Sequence, residues 1–114
     1  MARTAMDPER AALTKNLRQE AGRWLKQARE RAGLTQAELA ERVGLRYYTF
    51  VSQVESGQGR VPIETQGLWA HALGVEPSAF ARTLLGWYEP ELFRLLFAEA
   101  EDPADPVVLR RAHG

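Results

Sequence analysis

Cysteine is absent from this sequence of 114 residues, and histidine occurs only at His71 and His113. Zinc is usually held by clusters of cysteine and histidine side chains, so we expect no metal site, and no other cofactor is expected. The absence of cysteine also excludes a disulfide framework. It fits a reducing compartment, which predicts a cytoplasmic protein.

Long apolar runs and catalytic motifs are also missing. No stretch approaches the roughly 18 apolar residues that a membrane-spanning helix needs, and residues 1–10 lack an apolar signal core, so no membrane partner is expected. The sequence contains no G-x-S-x-G motif, no phosphate-binding P-loop and no G-x-G-x-x-G motif. We therefore expect no catalytic residues and no enzymatic activity.

The alternation of polar and apolar residues that is typical of β-strands is not sustained anywhere in the sequence. Apolar residues instead recur every three or four positions, as they do on one face of an α-helix. This spacing predicts six helices joined by short connections, and therefore an all-α fold in the form of a compact bundle.

Positive charge is concentrated in the first half of the sequence, although the net charge is zero. Residues 1–60 contain eleven Lys and Arg against seven Asp and Glu, a balance of +4, and residues 61–114 contain four against eight, a balance of −4. Such asymmetry indicates an anionic partner on the basic side, although chance scatter would give the same balance.

The first helical segment is predicted between Asp7 and Gly33. Asp7 and Pro8 form a typical helix start, and Gly33 follows the last apolar position. The spacing fits either one long helix or a short arm followed by a second helix near Arg18. The apolar residues expected to face the core are Leu13, Leu17, Ala21, Trp24, Leu25 and Ala28.

The stretch from Leu34 to Gly57 predicts two short helices joined by a tight turn. Thr35 and Glu38 have the spacing of a capping box, in which each side chain accepts a hydrogen bond from a backbone amide at the start of the first helix. Gly44 follows where a helix usually ends in a left-handed residue. The chain is therefore expected to turn at Gly44.

The two helices are expected over about residues 35–43 and 46–56, and a count of 3.6 residues per turn divides the second into two faces. The face expected to pack inward contains Tyr47, Phe50, Val51 and Val54. The opposite face contains Thr49, Ser52, Gln53 and Ser56, with Arg46 and Tyr48 at its margins. Its hydroxyl and amide groups suit DNA base edges beside phosphates, although an ordinary amphipathic surface helix has the same pattern.

Three further helices are predicted after this stretch. The first begins at Pro62 and ends at Gly74, and Gly67 within it would let another helix approach closely. Its inward residues are expected to include Ile63, Trp69, Ala70 and Leu73. The next begins at Pro77 and ends at Gly86, and the last spans about residues 90–101.

Four short motifs carry a resemblance to a known family: Arg29–Gln36, Leu39–Ala40, Val54–Gly57 and Ala72–Val75. With these motifs, residues 18–85 resemble the repressor/Cro-type helix-turn-helix family, the XRE-like transcriptional regulators. The resemblance implies a five-helix DNA-binding bundle whose second motif helix enters the major groove, usually in a dimer. The sequence departs from the family pattern by one additional residue between the glycines at 44 and 57, before Val51.

The resemblance also implies an organisation of the chain. It assigns the DNA-binding domain to residues 18–85. Outside that range, the pattern of the sequence itself predicts an N-terminal helical extension over residues 1–17, an additional C-terminal helix over 86–101 and a flexible tail over 102–114. The resemblance says nothing about these segments. It further implies a structural ion pair between Arg29 and Glu55, which would link the first helix to the end of the second motif helix.

We therefore expect a transcriptional regulator that binds specific sequences of double-stranded DNA. The residues expected to contact DNA are Thr35, Gln36, Arg46, Tyr47, Tyr48, Thr49, Ser52, Gln53, Gln58 and Arg60. The alternative is a protein-interaction module of the same fold, such as an antitoxin or a polymerase-associated factor, which would bind its partner through the acidic C-terminal half.

The apolar face of the C-terminal helix is wider than packing on a single core requires, which predicts a homodimer or another partner contact. The residues expected in this contact are Trp87, Leu92, Phe93, Leu95, Leu96 and Phe97. The alternative is a monomer in which Phe93 and Phe97 fold back over Leu17 and Trp24.

Overall fold

The first helix, α1, is continuous from Pro8 to Arg31 in the computed structural model, which describes residues 7–97. Asp7 caps it by accepting a hydrogen bond from the Arg10 amide at 2.8 Å. Of the two alternatives from the sequence, the single long helix is therefore confirmed. The predicted inward position of Leu13 is wrong: its side chain is exposed, because the first turns of α1 extend beyond the core.

The next two helices are α2, Gln36–Arg42, and α3, Thr49–Glu55. The predicted capping box is present at the start of α2: the Thr35 hydroxyl accepts from the Glu38 amide at 3.0 Å, and the Glu38 carboxylate accepts from the Thr35 amide at 2.8 Å. Gly44 turns the chain with a φ of 79°, a conformation that only glycine adopts without steric cost. The predicted turn at Gly44 is therefore confirmed.

The second predicted helix begins later than expected. Residues 46–48 belong to the connection, and α3 starts only at Thr49. The prediction that Tyr47 packs inward is wrong, because Tyr47 precedes the helix and the helical count does not apply to it; its side chain is 66% exposed. Val51 and Val54 are buried, as their predicted inward positions require.

The remaining helices are α4, Gln66–Leu73, α5, Pro77–Tyr88, and α6, Pro90–Phe97, and a 3-10 turn, Ile63–Thr65, precedes α4. Ile63 lies in that turn and is 77% exposed, so its predicted inward position is wrong. Gly86 lies within α5 and does not end it. A Cβ there would come within 3.5 Å of the Phe93 ring, so α6 packs closely on α5 at this glycine.

The core lies between the first five helices, α1 to α5. Its largest fully buried side chains are Trp69, Phe80, Leu25, Leu39, Leu84, Val51, Val54 and Val61. Residues 7–97 contain helices and turns but no β-strand, which confirms the all-α fold. No helix in this range is long and apolar enough to cross a membrane. The expected tail, residues 102–114, and residues 98–101 of the expected last helix lie outside the described part of the chain.

Candidate nucleic-acid interface

The exposed face of α3 carries only uncharged polar side chains. Thr49, Ser52 and Gln53 are exposed on it, whereas Val51 and Val54 are buried on the opposite face. Short hydroxyl and amide groups can both donate and accept hydrogen bonds. The face can therefore match mixed donor and acceptor patterns, such as those of base edges.

Glu55 is the only acidic residue of α3, and its side chain is turned away from this face. The side chain is 4% exposed and receives two hydrogen bonds from Arg29, one from Nε at 2.6 Å and one from Nη2 at 3.1 Å. Arg29 Nη1 also donates to the Leu34 carbonyl at 2.8 Å. The hydrogen bond to Glu55 raises the pKa of Arg29. The structure thus brings the two residues of the expected ion pair together and leaves α3 without an exposed negative charge.

Gln36 completes this arrangement. Its Nε2 donates to Glu55 Oε1 at 3.0 Å, so one carboxylate accepts from residues at the end of α1 and at the start of α2. We call Arg29, Gln36 and Glu55 the carboxylate cluster. Thr35 is engaged as well, because its hydroxyl and backbone amide both serve the capping box. Thr35 and Gln36, both expected to contact DNA, therefore already have hydrogen-bond partners within the chain.

α1 and α3 approach each other most closely at Gly22, which the sequence analysis did not identify. A Cβ at Gly22 would lie 2.1 Å from the Glu55 carbonyl oxygen and 2.8 Å from that of Val54. The predicted point of close approach at Gly67 is wrong, because nothing lies within 4 Å of a Cβ built there. The C-terminal end of α3 is therefore seated directly on the backbone of α1.

The segment before α3 is exposed and contains one positive charge. Arg46 is exposed, as are Tyr47 and Tyr48. Tyr48 stands at the N-cap of α3 but gives it no side-chain cap. These three residues directly precede the N-terminal end of α3, where a helix leaves its first backbone amides without intrahelical partners.

The helix-turn-helix family is matched by residues 25–80, a range that runs from the second half of α1 into α5 and includes both α2 and α3. Residues 25–80 therefore form a helix-turn-helix domain. No curated protein matches it in sequence. The family is one of DNA-binding transcription regulators and is not typically enzymatic, so the chain is a DNA-binding regulator of the helix-turn-helix type.

Two residues that follow the helix-turn-helix differ in their surroundings. Gln58 is exposed just beyond the end of α3. Its backbone amide donates a hydrogen bond to the Gln53 carbonyl at 2.8 Å. Arg60 instead donates to Glu89 at 3.0 Å, and its guanidinium lies 4.6 Å from the ring centroid of Tyr88. These partners hold Arg60 against α5, so the structure does not favour the DNA contact expected for it.

The residues expected in a dimer contact divide into two groups, one partly buried and one exposed. Trp87 lies in α5, is partly buried and packs on Trp24 with 5.7 Å between ring centroids, and its expected dimer or partner contact stays a prediction. Phe93 is half-buried against α5. The ring of Trp24 contacts the rings of Phe80 and Trp87, and within residues 7–97 the rings of Phe93 and Phe97 contact each other rather than Trp24.

The second group is exposed on α6. Leu95 is 71% exposed and Leu96 is 52% exposed, and Leu92 and Phe97 are also exposed. The surface of α6 is thus more apolar than a solvated helix requires.

Proposed function

We propose that this protein is a transcriptional regulator that reads specific sequences of double-stranded DNA by inserting α3 into the major groove. The observation that carries the proposal is the exposed face of α3, which is polar and uncharged because its one carboxylate, that of Glu55, is held by Arg29. A carboxylate on that face would be repelled by the phosphates on both sides of the groove. Amide and hydroxyl groups there distinguish base pairs by their donor and acceptor patterns.

The contacts divide into base readout and backbone positioning. Ser52 and Gln53 lie in the middle of the exposed face and are proposed to meet base edges. Arg46, Tyr48 and Thr49 stand at the exposed start of α3, where a guanidinium and two hydroxyls suit phosphate oxygens. Tyr47 and Gln58 flank this surface and are proposed as further contacts. The experiment that tests the function is selection of bound fragments from a random pool of DNA duplexes, which yields the site and its symmetry.

Replacing Ser52 or Gln53 by alanine is expected to weaken binding to the selected site by about 1–3 kcal/mol, because each change removes hydrogen bonds to a base edge. The preference for particular base pairs should relax at the same time. Equilibrium titration of the selected duplex and of duplexes with single base-pair changes measures both effects.

Gln27→Ala is the matched control, because Gln27 is an exposed amide on α1 and is not part of the helix-turn-helix surface. It should bind as the parent does. Unchanged binding by the Ser52→Ala and Gln53→Ala variants would show that α3 does not face the bases. Equal loss on every duplex would instead make these residues backbone contacts.

Gln36→Ala is expected to weaken binding to every duplex about equally, because the second N–H of the Gln36 amide and the first backbone amides of α2 are proposed to hold a phosphate. The first N–H is donated to Glu55, so the variant should also lose some stability. Titration is therefore done well below the melting temperature of the variant. A loss confined to certain sequences would contradict the phosphate assignment.

We further propose that the protein acts as a homodimer joined through α6. Two recognition helices about 34 Å apart can read successive turns of the major groove on one side of the duplex. Leu95 and Leu96 are the most exposed apolar residues of α6 and would form the centre of the contact. Burial of such a surface by a second copy removes apolar area from water in both chains.

Leu95→Asp combined with Leu96→Asp is expected to convert the dimer into a folded monomer, because carboxylates would lose their hydration in the contact. Sedimentation measures the mass, and titration of the selected duplex should show lost cooperativity. Leu68→Asp is the control, since Leu68 is also exposed but lies on α4. A parent that sediments as a monomer at micromolar concentration and binds an undivided site would contradict the dimer and favour contact of α6 with another protein.

A further inference from the structure

A cavity of about 570 Å³ lies between α5, α6 and the 3-10 turn before α4. Its apolar walls include Ile63, Leu85, Leu92 and Phe97. The volume is within the roughly 300–1,000 Å³ of small-molecule sites, which are mostly apolar with a few polar groups that fix orientation. The outward-facing residues Leu95 and Leu96, proposed for the dimer, are not among those that line it.

Two guanidinium groups stand at this cavity, each held against an aromatic ring. The Cζ atom of Arg60 lies 4.6 Å from the ring centroid of Tyr88, and that of Arg82 lies 5.2 Å from the ring centroid of Phe97. A cation over an aromatic face is attracted by the quadrupole of the neutral ring, whose face is electron-rich, so both groups are positioned before any ligand binds.

The charges that line the cavity do not balance. Among the lining residues in the described range 7–97, Glu89 is the one carboxylate, and it accepts from Arg60 at 3.0 Å. Arg82 makes no ion pair within residues 7–97. Glu76 also interacts electrostatically with Arg82, but it forms no ion pair with it and does not line the cavity. Within residues 7–97, one positive charge at the cavity therefore has no carboxylate within ion-pair distance, and a ligand with one negative charge and an apolar body would complement this charge and the apolar walls.

We propose that this cavity binds a small amphiphilic carboxylate, such as a medium-chain fatty acid. The carboxylate is bound by Arg82 at the rim, and the hydrocarbon chain packs between Leu85 on α5 and Leu92 on α6. The ligand would thereby join α6 to the remainder of the bundle. This site is separate from the helix-turn-helix surface and does not depend on DNA binding.

Calorimetric titration of the full-length protein with decanoate at neutral pH tests the proposal, with decanol as the uncharged probe of the same chain length. We expect one decanoate per chain, bound about tenfold more tightly than decanol, because a charge-assisted contact adds about 1.5 kcal/mol. Arg82→Gln should remove most of that difference without changing the affinity for decanol. Arg94→Gln, which alters an exposed arginine of α6 that does not line the cavity, should bind both probes as the parent does.

Substitutions that fill the cavity test whether the ligand binds there. Ala81→Phe is expected to abolish binding of both probes, because Ala81 lines the cavity and its side chain is exposed, so the larger ring enters the open space. Circular dichroism shows whether the variant folds, and Leu92→Trp is the second filling variant if it does not. Retention of decanoate by a folded, filled variant would overturn the proposal, as would equal affinity for the two probes or no binding by the parent.

Two other occupants would be revealed by the same measurements. If a second copy of the chain fills the cavity, the parent binds no decanoate and Ala81→Phe makes it monomeric in sedimentation. If the chain's own C-terminus fills it, decanoate binds only after Val108→Asp, because a charged residue would not enter the apolar cavity. Either result overturns the proposal.

Discussion

Glu55→Ala is expected to lower the free energy of unfolding by about 3 kcal/mol, because it leaves a buried arginine without its carboxylate. The Arg29 side chain is 10% exposed, and its hydrogen bond to Glu55 raises the pKa of the guanidinium above its ordinary value, so Arg29 keeps its charge at neutral pH. Gln36 would lose its acceptor in the same substitution. Urea denaturation followed by circular dichroism at neutral pH measures the change.

The matched control is Glu91→Ala, which breaks an ion pair of the same kind on the surface. The side chains of Glu91 and Arg94 are 71% and 65% exposed, and water screens such a pair, so its loss should change the stability far less than the loss of Glu55 does. The double variant Arg29→Met, Glu55→Met should recover part of the loss, because it removes both charges together. A Glu55→Ala protein with the denaturation midpoint of the parent would contradict the structural role of the carboxylate cluster.

Gly22→Ala is expected to destabilise the protein by about 3 kcal/mol or more, at or above the upper end of the usual cost of overpacking. The added Cβ would lie 2.1 Å from the Glu55 carbonyl oxygen, which belongs to the backbone and has no rotamer through which to move aside. α1 and α3 would have to separate. Thermal and urea denaturation of the variant measure the loss.

Gly67→Ala is the matched control, because it makes the same chemical change at a position where the added Cβ meets no neighbour. Nothing lies within 4 Å of a Cβ built at Gly67, and the residue is inside α4, where alanine is favoured over glycine by at most about 1 kcal/mol. Gly67→Ala should therefore be neutral or slightly stabilising. If both variants shift the denaturation midpoint in the same direction and by the same amount, the close contact between α1 and α3 does not exist.

The features that the sequence predicted correctly are those fixed by near neighbours along the chain. The capping box of Thr35 and Glu38 and the turn at Gly44 depend on residues a few positions apart. The burial of Val51 and Val54 follows from helical spacing once the helix is located. The all-α fold followed from the same local signals.

The features that the sequence did not predict depend on contacts between distant segments. Gly22 is critical because α3 crosses it, and no pattern within α1 distinguishes it from a merely tolerated glycine. Arg60 donates to Glu89, which follows α5, and this pairing joins residues 29 positions apart. Tyr47 was misplaced because the connection before α3 is longer than the helical count assumed. The DNA contacts themselves stay predictions.

The contacts that hold α3 in place and the side chains that it exposes to solvent are on different parts of the helix. Its anchors are Gly22 and Arg29, both on α1, and its displayed side chains Ser52 and Gln53 reach neither of them. Substitutions at displayed positions should therefore combine additively with changes elsewhere, since separated sites rarely couple. The scaffold would then allow its target to be reprogrammed by exchanging a few surface residues, with no redesign of the interior.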